Sequence, residues 1–261
     1  MLKISDFAPV VALAFVLTIA CANVETTSTS AQISSPSTQS ATDSLPMPPF
    51  VSKEYLLGKF DPAKHPDFVS VGKPFTDRPG MMMRIEAFEA FKKMWESAQK
   101  AGISLKIISS TRNFSQQKAI WEGKWERFAS AAPIPKDRAL KILEYSSMPG
   151  SSRHHWGTDI DLNDLNNPSF EQGGKHEKVY QWLDAYAKDF GFCQPYTAGR
   201  LYGYQEEKWH WSYTPLSKPF LAHYKADITD ADMQGFLGSN LAAEIGAVEH
   251  YVLGINQSCA E

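Results

Sequence analysis

Basic residues are not in excess in this chain. Lys and Arg number 26 against 29 Asp and Glu, a formal net charge of −3. A phosphate-binding surface calls for clustered cations, so nucleic acid is not an expected partner. Cysteine is scarce, with three in 261 residues. There is no internal repeat and no second linker. No long apolar run is present either. The stretch from Phe7 to Ala20 is short and broken by Pro9, too little to span a bilayer comfortably. The zincin helix signature His-Glu-x-x-His is missing, so any zinc site must be assembled from distant segments.

What is present begins with a leader-like terminus. Lys3 and the apolar core over residues 7–20 read as a signal peptide, with residues 1–20 removed. The core ends Leu17-Thr18-Ile19-Ala20-Cys21, similar to a bacterial lipobox with Thr18 in place of the usual Leu or Val. The expectation is a lipid anchor at Cys21, with an ordinary signal peptide as the alternative. Residues 21–48 are rich in Ser, Thr, Ala and Gln and almost devoid of large apolar side chains. Such a segment cannot bury enough surface to offset its ordering entropy and reads as a disordered tether. With Cys21 lipidated, Cys193 and Cys259 remain as one candidate disulfide pair in an oxidising compartment. Spacing alone does not fix whether they pair.

Residues 49–261 form one expected domain. Residues 50–80, rich in Pro, Gly and Asp, read as an irregular entry segment. Ile85, Phe88, Phe91 and Trp95 recur at helical spacing between Met83 and Gln99, and Gly102 follows as a stop. Helices are also expected over 115–128, 135–145 and from about Val179 to Gly191, with a closing helix over 229–248. Strands are expected over 105–108, 158–162 and 209–213. Helices and strands mix without βαβ alternation, which predicts an α+β class: a small mixed or antiparallel sheet with flanking helices.

Three segments carry polar residues of catalytic type: Ser109 to Arg112 with Gln117, Ser152 to Asp161, and Glu206 to Trp211. A catalytic zinc takes three His, Asp or Glu ligands, leaves one position open, and works with a nearby carboxylate base. The second segment offers His and Asp around a glycine, and the third offers Glu and His. Each residue alone has an ordinary reading, as a surface histidine, a strand-end cap or a core tryptophan.

Together the segments resemble the D-Ala-D-Ala carboxypeptidase family, which includes the vancomycin-resistance D,D-carboxypeptidases and is related to lysostaphin-type peptidases and the hedgehog domain. The family pattern Ser-x-His-x-x-Gly-x-x-x-Asp matches Ser152, His154, Gly157 and Asp161. Glu-x-Trp-His matches Glu207, Trp209 and His210, and Arg with Gln five residues on matches Arg112 and Gln117. The resemblance covers about residues 80–215 and implies a hedgehog/D,D-peptidase-like fold. It implies Zn²⁺ held by His154, Asp161 and His210, with Glu207 as base. Arg112 would stabilise charge on the scissile carbonyl, and Ser152 and Gln117 would hold substrate.

The chain departs from the family at Asp159, which stands where Ala is common and is a rival ligand or supporting acceptor. His155 is a supporting or substrate-facing group at a variable position. Glu206 is the alternative to Glu207 as base. Tyr213 is expected to line the site, and Trp156, Trp209 and Trp211 to pack near the metal or in the core.

The implied activity is removal of a C-terminal D-amino acid, D-Ala, from the stem peptide of peptidoglycan at the cell envelope, on the periplasmic or outer-surface side. Endopeptidase action on cross-links, or a non-catalytic module that binds cell-wall peptide around a structural zinc, are the alternatives.

Overall fold

The computed structural model describes residues 51–261. The expected leader, the Cys21 anchor and the whole of the tether lie outside them. Among the described residues no helix is long and apolar enough to cross a membrane.

The order of elements is α1 (Lys53–Leu56), β1 (Phe68–Val71), β2 (Met81–Arg84), α2 (Ile85–Lys100), β3 (Ile107–Ser109), α3 (Phe114–Arg127), α4 (Pro135–Leu143), β4 (Asp159–Leu162), α5 (Glu177–Tyr186), β5 (Phe192–Cys193), β6 (His210–Tyr213), α6 (Thr214–Asp227) and α7 (Ala242–Ile245). A 3-10 turn, Arg153–Trp156, leads into β4. The class is α+β, with two small antiparallel sheets. One pairs β1 with β2, and the other has four strands in the order β3-β4-β6-β5.

Strand alternation gives the four-stranded sheet two different faces. Ile160, Leu162 and Trp211 turn one way and join a core with Phe88, Phe91 and Met94 of α2 and Val179, Trp182 and Leu183 of α5. Asp159, Asp161, His210 and Ser212 turn the other way and are also buried. A second core lies around Tyr55, Trp121, Trp156, Phe220 and Tyr224. The polar face is therefore enclosed between α3, the 3-10 turn and the C-terminal segments. Burial on this scale demands that every charge find a partner.

Local signals place most of the elements. Asn113 and Gln116 form a reciprocal capping box that starts α3. Pro135 opens α4 at a position where its missing N–H costs nothing. Gly102 follows α2 with φ of 74°, a conformation glycine adopts without steric cost.

Three expectations need correction. The entry segment is more regular than its composition suggests, since Phe68–Val71 pairs with Met81–Arg84 as a hairpin. Helix α6 was not foreseen, because Pro215 and Pro219 interrupt its pattern. Pro215 sits in its first turn, and the helix still buries Phe220, Leu221 and Tyr224. The closing helix expected over 229–248 is instead a chain of short turns, Asp230–Asp232, Ser239–Leu241, α7 and Ala247–Val252. Gly235, Gly238 and Gly246 all have positive φ there and break the run.

Cys193 and Cys259 form a disulfide, with Cα atoms 5.7 Å apart and a sequence separation of 66. A loop of that length is constrained by on the order of 4 kcal/mol in the chain-entropy picture. The bridge ties the C-terminal turns to the edge strand β5.

Candidate metal centre and active-site cavity

The register of β4 against β6 sets Asp161 directly opposite His210 and Asp159 opposite Ser212. Directly opposed residues share a face, so an acid–imidazole pair across two strands follows from pairing alone. His154 arrives from the 3-10 turn. That turn ends at Gly157, whose φ is 76° and where a Cβ would strike Phe68 and the Arg84 stem at 2.9 Å or less. Only glycine fits there, and its conformation turns the chain so that His154 and Asp161 converge.

His154 Nε2 lies 3.4 Å from Asp161 Oδ2, and His210 Nδ1 lies 3.3 Å from Asp161 Oδ1. Donor atoms of His154, Asp161 and His210 all fall within 4.8 Å of one another. The edge of a tetrahedral zinc site with these ligand types is about 3.3 Å. The remaining ring nitrogens are already committed. His154 Nδ1 meets the Ser110 carbonyl at 2.8 Å, and His210 Nε2 meets Asp159 Oδ1 at 2.9 Å. His154 Nε2 and His210 Nδ1 are therefore the ring nitrogens that turn toward Asp161, with Glu207 also beside His210 Nδ1, and a cation held there would take the place of the ring proton. Asp161 Oδ1 is buried without a hydrogen bond among the described residues. Such an oxygen is costly unless something positive meets it. The donor set, its spacing and this orphaned oxygen all fit a divalent cation such as zinc.

The electrostatics point the same way. Burial acts to lower the His210 pKa, but hydrogen bonds to Asp159 and Glu207 and the charge of Asp161 prevail and hold it up at about 9. The protein thus concentrates negative charge around one imidazole. Burial and the Arg112 charge hold His154 below its ordinary value, so it is neutral and ready to donate a lone pair. Burial would raise Asp161, yet His154, His210 and Arg112 keep it well below the usual carboxylate range.

Asp159 lies outside that cluster and meets His210 at its other ring nitrogen, Nε2. Its Oδ1 accepts from Arg153 Nε at 3.0 Å as well as from His210, and its Oδ2 accepts from Thr158 Oγ1 at 2.7 Å and Ser212 Oγ at 2.9 Å. Both Arg153 and Asp159 side chains are fully buried. The sequence carried no signal for Arg153, because it meets Asp159 only once the turn before β4 has folded. Asp159→Asn is expected to weaken metal affinity by ~10–100-fold, the usual cost of losing such a partner. It should also lower thermal stability by about 3–5 kcal/mol, because Arg153 is left buried and unpaired. Chelator competition and thermal melting read the two effects. Unchanged metal affinity would contradict a role for Asp159 in holding His210.

Glu207 is buried, and its Oε2 lies 3.1 Å from His210 Nδ1. Burial raises its pKa, only partly opposed by His210. Its loop is fixed from two sides. Asn167 donates to the Glu206 carbonyl and accepts from the Lys208 N–H, and Gln194 Nε2 donates to the Glu207 carbonyl. Glu206 instead reaches Lys208 at 3.4 Å and does not line the cavity.

Arg112 closes the other side. Its Nη1 is 3.7 Å from Asp161 Oδ2 and donates to Ser109 Oγ at 2.7 Å, while its Nε donates to Gln117 Oε1 at 3.0 Å. The Gln117 amide in turn donates to the Ser147 carbonyl. Both polar ends of Gln117 are therefore engaged within the protein, although its side chain lines the cavity. The Ser152 hydroxyl also lines the cavity and has no protein partner among the described residues. His155 is fully buried, its Nδ1 at 2.6 Å from the Arg112 carbonyl and its Nε2 accepting from the Gly150 N–H. Burial pushes its pKa down to about 3. It ties the Arg112 loop to the turn before β4 and does not face substrate.

These groups surround a cavity of about 480 Å³, a size suited to a small ligand or peptide end. Exposed Ile120, Tyr145 and Leu165 stand among its walls. Trp209 also lines it, whereas Trp156 and Trp211 belong to the two cores. Tyr213 does not line it. It pairs with Phe192 across β5 and β6, on the face of the sheet opposite His210.

The chain is similar to several known proteins. A Bacillus subtilis (strain 168) protein named for carboxypeptidase activity, YodJ, is 27% identical over 171 residues, 62% of this chain. The chain spans about 58% of that relative's length. The LdcB LD-carboxypeptidase structure superposes with a TM-score of 0.50 at 23% identity, covering 66% of this chain and 77% of that one, and so shares the fold. A vancomycin-resistance D,D-pentapeptidase VanY in complex with Zn(II) gives a TM-score of 0.47 at 19% identity, over 66% of this chain and 87% of that one. The family model for VanY, D-alanyl-D-alanine carboxypeptidase, matches residues 80–216, which contain every element of the cavity's catalytic face, and the chain belongs to that family.

Proposed function

We propose that the domain is a zinc-dependent carboxypeptidase that removes a C-terminal D-amino acid, D-Ala, from peptidoglycan stem peptides. The observation that carries this reading is the convergence of His154, Asp161 and His210 with an adjacent buried carboxylate, Glu207, in one open cavity.

His154, Asp161 and His210 would hold a zinc ion, which would supply Lewis acidity to the attacking water and the scissile carbonyl. Glu207 takes the water's proton on its carboxylate and later delivers it to the departing amine. Its raised pKa suits both halves of that transfer. Arg112 directs its guanidinium at the developing negative charge on the carbonyl oxygen. Ser109 and Gln117 hold that guanidinium in place, so Gln117 acts as a positioning residue and not as a substrate contact. Ser152 offers its unengaged hydroxyl to the peptide.

With the proposed Cys21 anchor and tether, the domain would meet cell-wall peptide outside the cytoplasmic membrane. The test is product mass after incubation with a muropeptide pool. Loss of one terminal alanine from the stem peptide is the expected result. Cleavage of cross-linked dimers into monomers would instead favour an endopeptidase. Binding without any cleavage would favour a non-catalytic wall-binding module.

A further inference from the structure

Three cationic side chains line the cavity, and the reaction above does not use Lys124. Lys124 stands in the last turn of α3, seven residues after Gln117. That spacing is two helical turns, so the two side chains share a face. Both line the cavity. Lys124 Nζ donates to Ser146 Oγ, and no carboxylate pairs with it among the described residues. Arg112 and Arg153, by contrast, each face an aspartate. Burial lowers the pKa of Lys124, the charges of Arg127 and Arg112 act in the same direction, and the more distant Glu207 carboxylate opposes them without reaching ion-pair distance. An ammonium has three donors, and only one of these is committed. The cavity wall therefore presents a partly desolvated positive charge whose natural complement is an anion arriving with the ligand.

We propose that Lys124 is a specificity-determining residue that binds a carboxylate of the substrate peptide. The proposal rests on the carboxypeptidase reading for its substrate class. A peptide carries such a group in two places, at its C-terminus or on an acidic residue upstream of the scissile bond. Lys124 on the C-terminal carboxylate would make the site read a chain end, because a peptide cut in its interior has no charge there.

The experiment uses the full-length, zinc-loaded Glu207→Gln protein, so that binding is read without turnover, with and without Lys124→Gln. Calorimetry measures three acetylated peptides: Lys-D-Ala-D-Ala as the free acid, the same peptide as its C-terminal amide, and Glu-D-Ala-D-Ala amide. Losing a charge-assisted hydrogen bond is expected to weaken the matching peptide by ~10–100-fold. A loss confined to the free acid assigns Lys124 to the C-terminal carboxylate, and a loss confined to the Glu-containing amide assigns it to an upstream acid. Lys124→Arg should retain most of the affinity. Equal weakening of the amide that carries no carboxylate would mean that Lys124 only staples α3 to Ser146, and would overturn the proposal. Unchanged affinity throughout, or no binding of any peptide before Lys124 is altered, would overturn it as well. Turnover by the unsubstituted protein is measured separately: peptides that bind but are never cleaved contradict the carboxypeptidase reading and leave the Lys124 assignment standing.

Discussion

Glu207→Gln is expected to cut turnover of D-Ala-terminated peptides by ~10²–10⁴-fold, the usual share of a general base. The substitution keeps the size and shape of the side chain and removes its basicity. Glu207 is buried 3.1 Å from His210, and its loop is held through main-chain bonds by Asn167 and Gln194. Those bonds survive the change, so fold and metal content should as well. Because burial raises the Glu207 pKa, the acid limb of the rate–pH profile should lie above the range of an ordinary glutamate. A base must be deprotonated to act, so activity falls as pH drops through that value, and the limb should vanish in the glutamine variant. Glu206→Gln is the control, since Glu206 faces Lys208 outside the cavity. A fully active Glu207→Gln beside an inactive Glu206→Gln would reverse the assignment.

Loss of a metal ligand is expected to have a larger effect on affinity than loss of any supporting group. His154→Ala and His210→Ala each remove one of three protein donors from a site that keeps one position open. The fall in metal affinity should exceed the ~10–100-fold assigned to an outer partner such as Asp159. The two variants differ in what they leave behind. Removing His210 strips Asp159, Asp161 and Glu207 of their shared neighbour, so three buried carboxylates face each other with less compensation. Removing His154 frees only the Ser110 carbonyl and one Asp161 contact. His210→Ala should therefore be the less stable protein by thermal melting, with His154→Ala closer to the parent.

The candidate ligand cluster was legible in the sequence because each of its two segments is local. His154, Gly157 and Asp161 lie within eight residues, and Glu207 to His210 within four. Period-2 alternation already placed Asp159 and Asp161 on one face of a strand. The same rule, applied to β6, would have turned Tyr213 away from the site along with Trp211. The missed features are those that depend on how the strands pair and on how the turn before β4 folds. Ser212 meets Asp159 only through the β4–β6 register, and Arg153 finds its aspartate only because the turn before β4 folds back under the sheet. Helix α6 was hidden by Pro215 at its start and Pro219 inside it, and the β1–β2 hairpin by the prolines and glycines of its connection. There tertiary burial of Phe220, Tyr224 and Phe68 overrides weak local propensity.

The central claim is that His154, Asp161 and His210 hold the metal on which peptide cleavage depends. The most direct measurement is metal content alongside D-alanine release, before and after chelation and after zinc is restored, on the parent and the two histidine variants. The expected result is about one zinc per chain in the parent, loss of both metal and activity on chelation, and recovery of both with added zinc. The variants should hold little metal and release little D-alanine. Zinc content unchanged in both variants, or undiminished cleavage by the metal-free parent, would contradict the account.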